Sequence, residues 1–249
     1  MTGPAGHSVP LLGASLTRSK GNTALRFRAI ATDYDETLAT EGHAFPPALT
    51  ALREAQAKGR KLLLVTGREV ESLRSVFADV GLFDLVVAEN GALLYFPSTD
   101  RERLLCRAAP NGLLTALRRA GVSPLSAGRC VIATLTPNQS VVEQKIRELR
   151  LDWRVILNRE SVMVLPQGVN KGTGLAAALE EFGLSAADAM GIGDAENDYD
   201  FLRTCGLSVA VNNALPALKQ EAGLVTRGAR GAGVAEAIAH LRSIDPESA

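Results

Sequence analysis

The chain has 249 residues, 27 basic against 27 acidic side chains, and 46% hydrophobic residues. An ordinary globular composition of this length predicts one to two domains and excludes a disordered, collagen-like or fibrous chain. A formal net charge of zero supplies no global basic field for nucleic acid or an anionic membrane.

Histidine and cysteine are scarce: His7, His43 and His240, and Cys106, Cys130 and Cys205. None of them falls at metal-ligand spacing, so a zinc site is not expected. Scattered, unpaired cysteines fit a reducing, cytoplasmic compartment. No apolar run reaches the roughly 18 residues that span a membrane. Residues 1–25 are basic, acid-free and rich in glycine, and are expected to form a loose tail without the apolar core of a secretion signal.

A regular rhythm begins at residue 26. Residues 27–32 (FRAIAT) predict a buried strand that ends at two aspartates. Residues 47–58 place Leu49, Leu52 and Ala55 at helical spacing, with Gly59 as the stop. Residues 61–65 (KLLLV) predict a second strand, 69–80 a helix ended by Gly81, and 85–88 (LVVA) a third strand. In the last third, strands at 189–193, 207–211 and 224–226 alternate with helices at 172–182, 198–204, 214–222 and 232–244. Uniformly apolar strands alternating with helices predict an α/β fold with a parallel sheet covered on both faces.

Residues 92–166 differ in texture. Hairpins at 93–107 and 153–165 flank helices at 111–120 and 141–149 and a strand at 130–135. This order predicts a small α+β unit inserted between two core halves, at 26–91 and 167–245.

Four short segments carry the chemistry. Asp33-Tyr34-Asp35-Glu36-Thr37 follows the first strand, and Thr66-Gly67-Arg68 follows the second. Lys171 opens a helix within Gly168-Val169-Asn170-Lys171-Gly172. Gly193-Asp194-Ala195-Glu196-Asn197-Asp198 follows a later strand. Sites in open α/β sheets form at the carboxyl ends of strands. Taken singly, each segment reads equally as a loop, a cap or a turn. Together, four carboxylates in one cleft repel unless a cation joins them, and a hard divalent ion such as Mg²⁺ resolves that repulsion. A lysine, a hydroxyl and free backbone N–H groups beside it make an anion cradle. A metal, an anion cradle and a spare carboxylate suit phosphoryl transfer.

These segments, in this order, resemble the four motifs of the haloacid dehalogenase (HAD) superfamily, and the likeness runs from about residue 26 to 245. The resemblance implies a Rossmann-like, doubly wound core and an Mg²⁺-dependent phosphatase. By it, Asp33 is the nucleophile that becomes an aspartyl phosphate, and Asp35 is the general acid and base. Thr66, Gly67, Lys171 and Asn197 hold the phosphate. Asp194, the Asp33 carboxylate and the Asp35 backbone carbonyl hold the metal, with Asp198 as a supporting acid. The interval between Thr66 and Lys171 has room for a folded cap, whereas that between Asp33 and Thr66 does not. That layout resembles C2-capped, type IIB enzymes: Cof-like, sugar-phosphate and phosphoglycolate phosphatases, and also phosphomannomutase. It implies a small phosphorylated metabolite as substrate, with no nucleic-acid or membrane partner and a monomeric or homodimeric state. A phosphomutase or phosphotransferase, and an idle HAD-fold binding subunit, are the alternatives. Glu36 stands where the family usually has glycine, so the following loop is expected to take another course. Glu89-Asn90-Gly91-Ala92 resembles the hinge into the cap, and the chain returns near 166–168. Arg68 is a candidate substrate contact, and so, from the cap turns, are Arg129, Arg159 and Glu160.

Overall fold

Runs such as Ala29–Asp33, Lys61–Val65, Leu85–Ala88 and Ala189–Gly193 are buried at nearly every residue, which requires cover on both sheet faces. Each buried leucine of Leu62–Leu64 contributes on the order of 1.5–3 kcal/mol. A computed structural model describes residues 25–244; the expected basic tail lies outside the described residues. The large sheet has eight strands, in the order Leu224–Val225, Leu207–Ala210, Ala189–Gly193, Ala29–Asp33, Lys61–Val65, Leu85–Ala88, Leu93–Phe96, Arg101–Leu104. The first six run parallel; Leu93–Phe96 pairs antiparallel with Leu85–Ala88, and Arg101–Leu104 antiparallel with Leu93–Phe96.

Register brings the motif loops to one level. Asp33 pairs with Val65, so Thr66 leaves the neighbouring strand just beyond it. Thr32 pairs with Ile192, which sets Asp194 beyond the other flank of Asp33. The helix Lys171–Glu180 packs across Lys61–Val65 and Leu85–Ala88 and delivers Lys171 from its first turn. Asn170 caps that helix through a reciprocal pair with Thr173.

The inserted unit has helices Asn111–Arg119 and Gln139–Glu148 on one face of a four-stranded antiparallel sheet. The strand order is Trp153–Asn158, Ser161–Pro166, Ile132–Leu135, Ser126–Ala127. Alternation divides its residues: Val162 and Val164 pack under the helices, while Ser161 and Met163 face a cleft over the core.

Three differences from expectation have physical causes. The hairpin Leu93–Phe96 with Arg101–Leu104, expected within the insert, hydrogen-bonds onto the edge of the large sheet at Val86–Ala88. The helix expected at 69–80 divides into Val70–Val76 and a 3-10 turn at Ala78–Leu82. At the break, Phe77 turns extended and packs its ring 5.0 Å from Tyr34 and 6.1 Å from Phe83, centroid to centroid. The two-residue strands Ala39–Thr40, His43–Ala44 and Ser126–Ala127 are too brief to show a period.

Candidate active site

Asp33 closes the central strand and is 4% exposed. Its Oδ1 accepts from Lys171 Nζ at 2.5 Å, and the same ammonium donates to Asp198 Oδ1 at 2.6 Å. Lys171 is fully buried. Burial works to lower its pKa, but the carboxylates of Asp198 and Asp33 outweigh that and hold it above the ordinary lysine range. Asp198 turns its other oxygen to the loop, accepting the Asp194 and Ala195 N–H groups at 2.8 and 3.0 Å. With both oxygens engaged, Asp198 orients the lysine and the loop.

Asp194 accepts from Thr37 Oγ1 at 2.8 Å, and its second oxygen accepts from Arg159 on the hairpin tip of the inserted unit. Asp33, Asp194 and Asp198 are all buried and present oxygens within 4.8 Å of one another. Burial, reinforced by Asp198 and Asp194 and opposed by Lys171, pushes the Asp33 carboxyl well above the usual carboxylate range. Burial and Asp198 likewise raise Asp194, against Arg159 and Thr37. Three buried acids around one buried lysine leave negative charge over, and an all-oxygen donor set suits a hard divalent cation.

Asp35, two residues on, points its carboxylate at Arg68. The pair is bidentate: Nε donates to Oδ2 at 2.8 Å and Nη2 to Oδ1 at 2.7 Å. The Arg68 backbone N–H also donates to Thr66 Oγ1 at 3.1 Å. Asp33, Asp35, Gly67 and Arg68 form the core wall of a cleft of about 720 Å³, and Arg159 and Met163 are among the residues facing them. Thr66, Lys171 and Asn197 are buried and do not line it.

Known proteins resemble this chain in sequence and in fold. The family model for haloacid dehalogenase-like hydrolases matches residues 30–113 and 132–238. The chain belongs to that family. A phosphoglycolate phosphatase 2 of Saccharolobus solfataricus is 32% identical over 222 residues, covering 86% of this chain and 92% of its own length. A phosphoglycolate phosphatase of Methanothermobacter thermautotrophicus is 33% identical over 219 residues, covering 85% of this chain and 97% of its own. The crystal structure of a haloacid dehalogenase-like hydrolase from Bacteroides thetaiotaomicron superposes with a TM-score of 0.75 at 19% identity, over 87% of this chain and 100% of that one. The HAD-family chain is thus an enzyme, a phosphoric monoester hydrolase. Among its described residues no helix is long and apolar enough to cross a membrane.

Glu36 shows how this HAD hydrolase dispenses with the usual glycine. Its φ is +60°, the left-handed value that glycine adopts freely. Arg230 Nε donates to Glu36 Oε2 at 2.7 Å, and Asn213 Nδ2 donates to its carbonyl at 2.8 Å. The side chain therefore anchors the turn that glycine would only permit, and Thr37 still reaches Asp194.

Of the cap-turn candidates, Arg159 and Glu160 line the cleft and Arg129 does not. Arg129 pairs with Glu71 and Glu102 at exposed positions. Thr37 and Asn90 were not singled out for roles in the sequence. Asn90 Oδ1 accepts from Asn197 Nδ2 at 2.9 Å, which ties the exit turn to the Asp194–Asp198 loop. Among the described residues, Asn90 Nδ2 and Asn197 Oδ1 are buried without a hydrogen-bond partner. Nothing local in the sequence signals that pair, because its members are far apart in the chain.

Proposed function

We propose that this HAD-family phosphatase hydrolyses a small phosphorylated metabolite, of the phosphoglycolate or sugar-phosphate kind, through an aspartyl phosphate on Asp33. The observation that carries the reading is the buried Lys171 bridging Asp33 and Asp198 in the carboxylate cluster, with Asp33 itself in the wall of an open cleft. The names of the two relatives above favour phosphoglycolate.

In the first step an Asp33 carboxylate oxygen bonds to phosphorus, the bond to the leaving oxygen breaks, and Asp35 gives that oxygen a proton. In the second, Asp35 takes a proton from water, the water oxygen bonds to phosphorus, and the Asp33–phosphorus link breaks to release phosphate. Lys171 works against the burial that raises Asp33 and faces the charge that builds on the phosphoryl oxygens. Arg68 occupies both Asp35 oxygens, so it must yield one before Asp35 can pass a proton. A substrate anion drawn to Arg68 supplies that exchange. Mg²⁺, held by Asp33, Asp194 and the Asp35 carbonyl, would supply positive charge to the phosphate and offset the surplus of buried acids. The three free cysteines agree with a cytoplasmic setting.

The test is phosphate release from a panel of 2-phosphoglycolate and sugar phosphates, with Mg²⁺ and with EDTA. Mg²⁺-dependent release with 2-phosphoglycolate among the best substrates is expected. Running it in ¹⁸O water separates hydrolysis, which labels the phosphate, from transfer to a sugar hydroxyl, which does not.

A further inference from the structure

Glu89 is 1% exposed, yet its partners are backbone amides rather than a cation. Its Oε1 accepts from Arg129 N at 2.8 Å, and its Oε2 accepts from Cys130 N at 2.7 Å and Val131 N at 2.9 Å. Three successive N–H groups of the inserted unit thus converge on one carboxylate of the core. Such charge-assisted bonds are roughly twice as strong as neutral ones. Gly128 makes room for the approach: a Cβ there would lie 2.4 Å from Glu89 Oε1.

The turn that carries Glu89 touches three of the four motif segments. Glu89 N donates to Arg68 O at 2.9 Å, and Asn90 N donates to Thr66 O at 3.0 Å. Asn90 holds Asn197, and a Cβ on Gly91 would lie 1.9 Å from the carbonyl oxygen of Asn170, just before Lys171. Glu89, Asn90 and Gly91 have φ of +49°, +55° and +102°, three left-handed residues in a row. A run of this kind persists only where its surroundings over-determine it. On the other side, Val131 begins the stretch of the inserted sheet that roofs the cleft with Ala133 and Met163.

We propose that Glu89 is a positioning residue that docks the 129–131 segment onto the turn organising the phosphate loops, and so fixes the height of the roof over Asp33. It touches neither substrate nor metal. It acts by holding two bodies in one relation, so its loss loosens substrate capture before it slows the chemistry. The kinetic part rests on the phosphatase reading; the structural part does not.

The experiment uses the full chain with Glu89→Gln, which keeps the volume and removes the charge, and Gly128→Ala, which crowds the carboxylate from the opposite side. Hydrogen–deuterium exchange is read over residues 128–133 without substrate. Exchange at 129–131 at least about tenfold faster in both variants is expected, with the 171–180 helix unchanged. With 2-phosphoglycolate and Mg²⁺, KM should rise about tenfold while kcat changes less than about threefold. The double variant should add little to either single one. Native-like exchange at 129–131 in Gly128→Ala, with KM unchanged, overturns the proposal, even if Glu89→Gln fails to fold. Faster exchange in a protein that hydrolyses no phosphoester upholds the dock and defeats the phosphatase reading instead.

Discussion

Arg68 and Asp35 meet fork to fork, with Nε to Oδ2 at 2.8 Å and Nη2 to Oδ1 at 2.7 Å, and Arg68 stands 28% exposed in the cleft wall. Lysine can keep the charge but not the fork. Arg68→Lys should lower kcat/KM about tenfold, and Arg68→Ala further, in steady-state assays with the best substrate of the panel. Wild-type kinetics in Arg68→Ala would leave the pair as wall structure only.

Lys171 is the counter-charge of two buried acids. Removing one partner of a buried ionic group costs about 3–5 kcal/mol, because the remaining charges lose their compensation. Lys171→Met should lower stability by that order in urea unfolding and reduce kcat at least about a hundredfold. Adding Asp198→Asn should restore part of the stability and none of the activity.

Proton and cation should compete at the acid cluster. Burial is the main cause that raises the Asp33 and Asp194 carboxyls. An acid with a raised folded-state pKa binds protons on folding. Its stability contribution is complete below the unfolded value of about 3.9 and is lost as pH rises through the folded value. A divalent cation takes over the proton's role once the carboxyls ionise. The rise in Tm on adding Mg²⁺ to EDTA-treated protein should therefore be larger at about pH 7.5 than at about pH 5. An increment independent of pH would mean the cation binds elsewhere.

Glu36 offers a test of a family departure. Glycine would relieve the left-handed backbone, worth about 1–2 kcal/mol, but give up the half-exposed pair with Arg230 and add freedom to the unfolded chain. Glu36→Gly should stay within about 1 kcal/mol of wild type in denaturation and within about threefold in kcat.

The sequence is most readable where a residue's surroundings are local. Apolar runs such as KLLLV mark buried parallel strands because both faces are covered. The grouping of Asp33, Asp194 and Asp198 is foreshadowed because each follows a strand of one sheet, and strand ends share a level. Period alone cannot say which sheet a hairpin joins, so Leu93–Phe96 and Arg101–Leu104 look the same on the core edge as in an insert. Two-residue strands such as Ser126–Ala127 carry no period at all. Glu89 could be placed at a hinge, but its partners are backbone amides some forty residues away, and any sequence supplies those. The Arg68–Asp35 fork is hidden for the same reason: it depends on two neighbouring strand ends turning toward each other.

Acid-quenched turnover followed by mass mapping of the 29–37 peptide tests Asp33 most directly. A phosphoryl adduct on Asp33 is expected in the wild-type protein. No adduct and no phosphate release are expected from a folded Asp33→Asn variant. An adduct on another residue, or full phosphate release by Asp33→Asn, would contradict the aspartyl-phosphate mechanism.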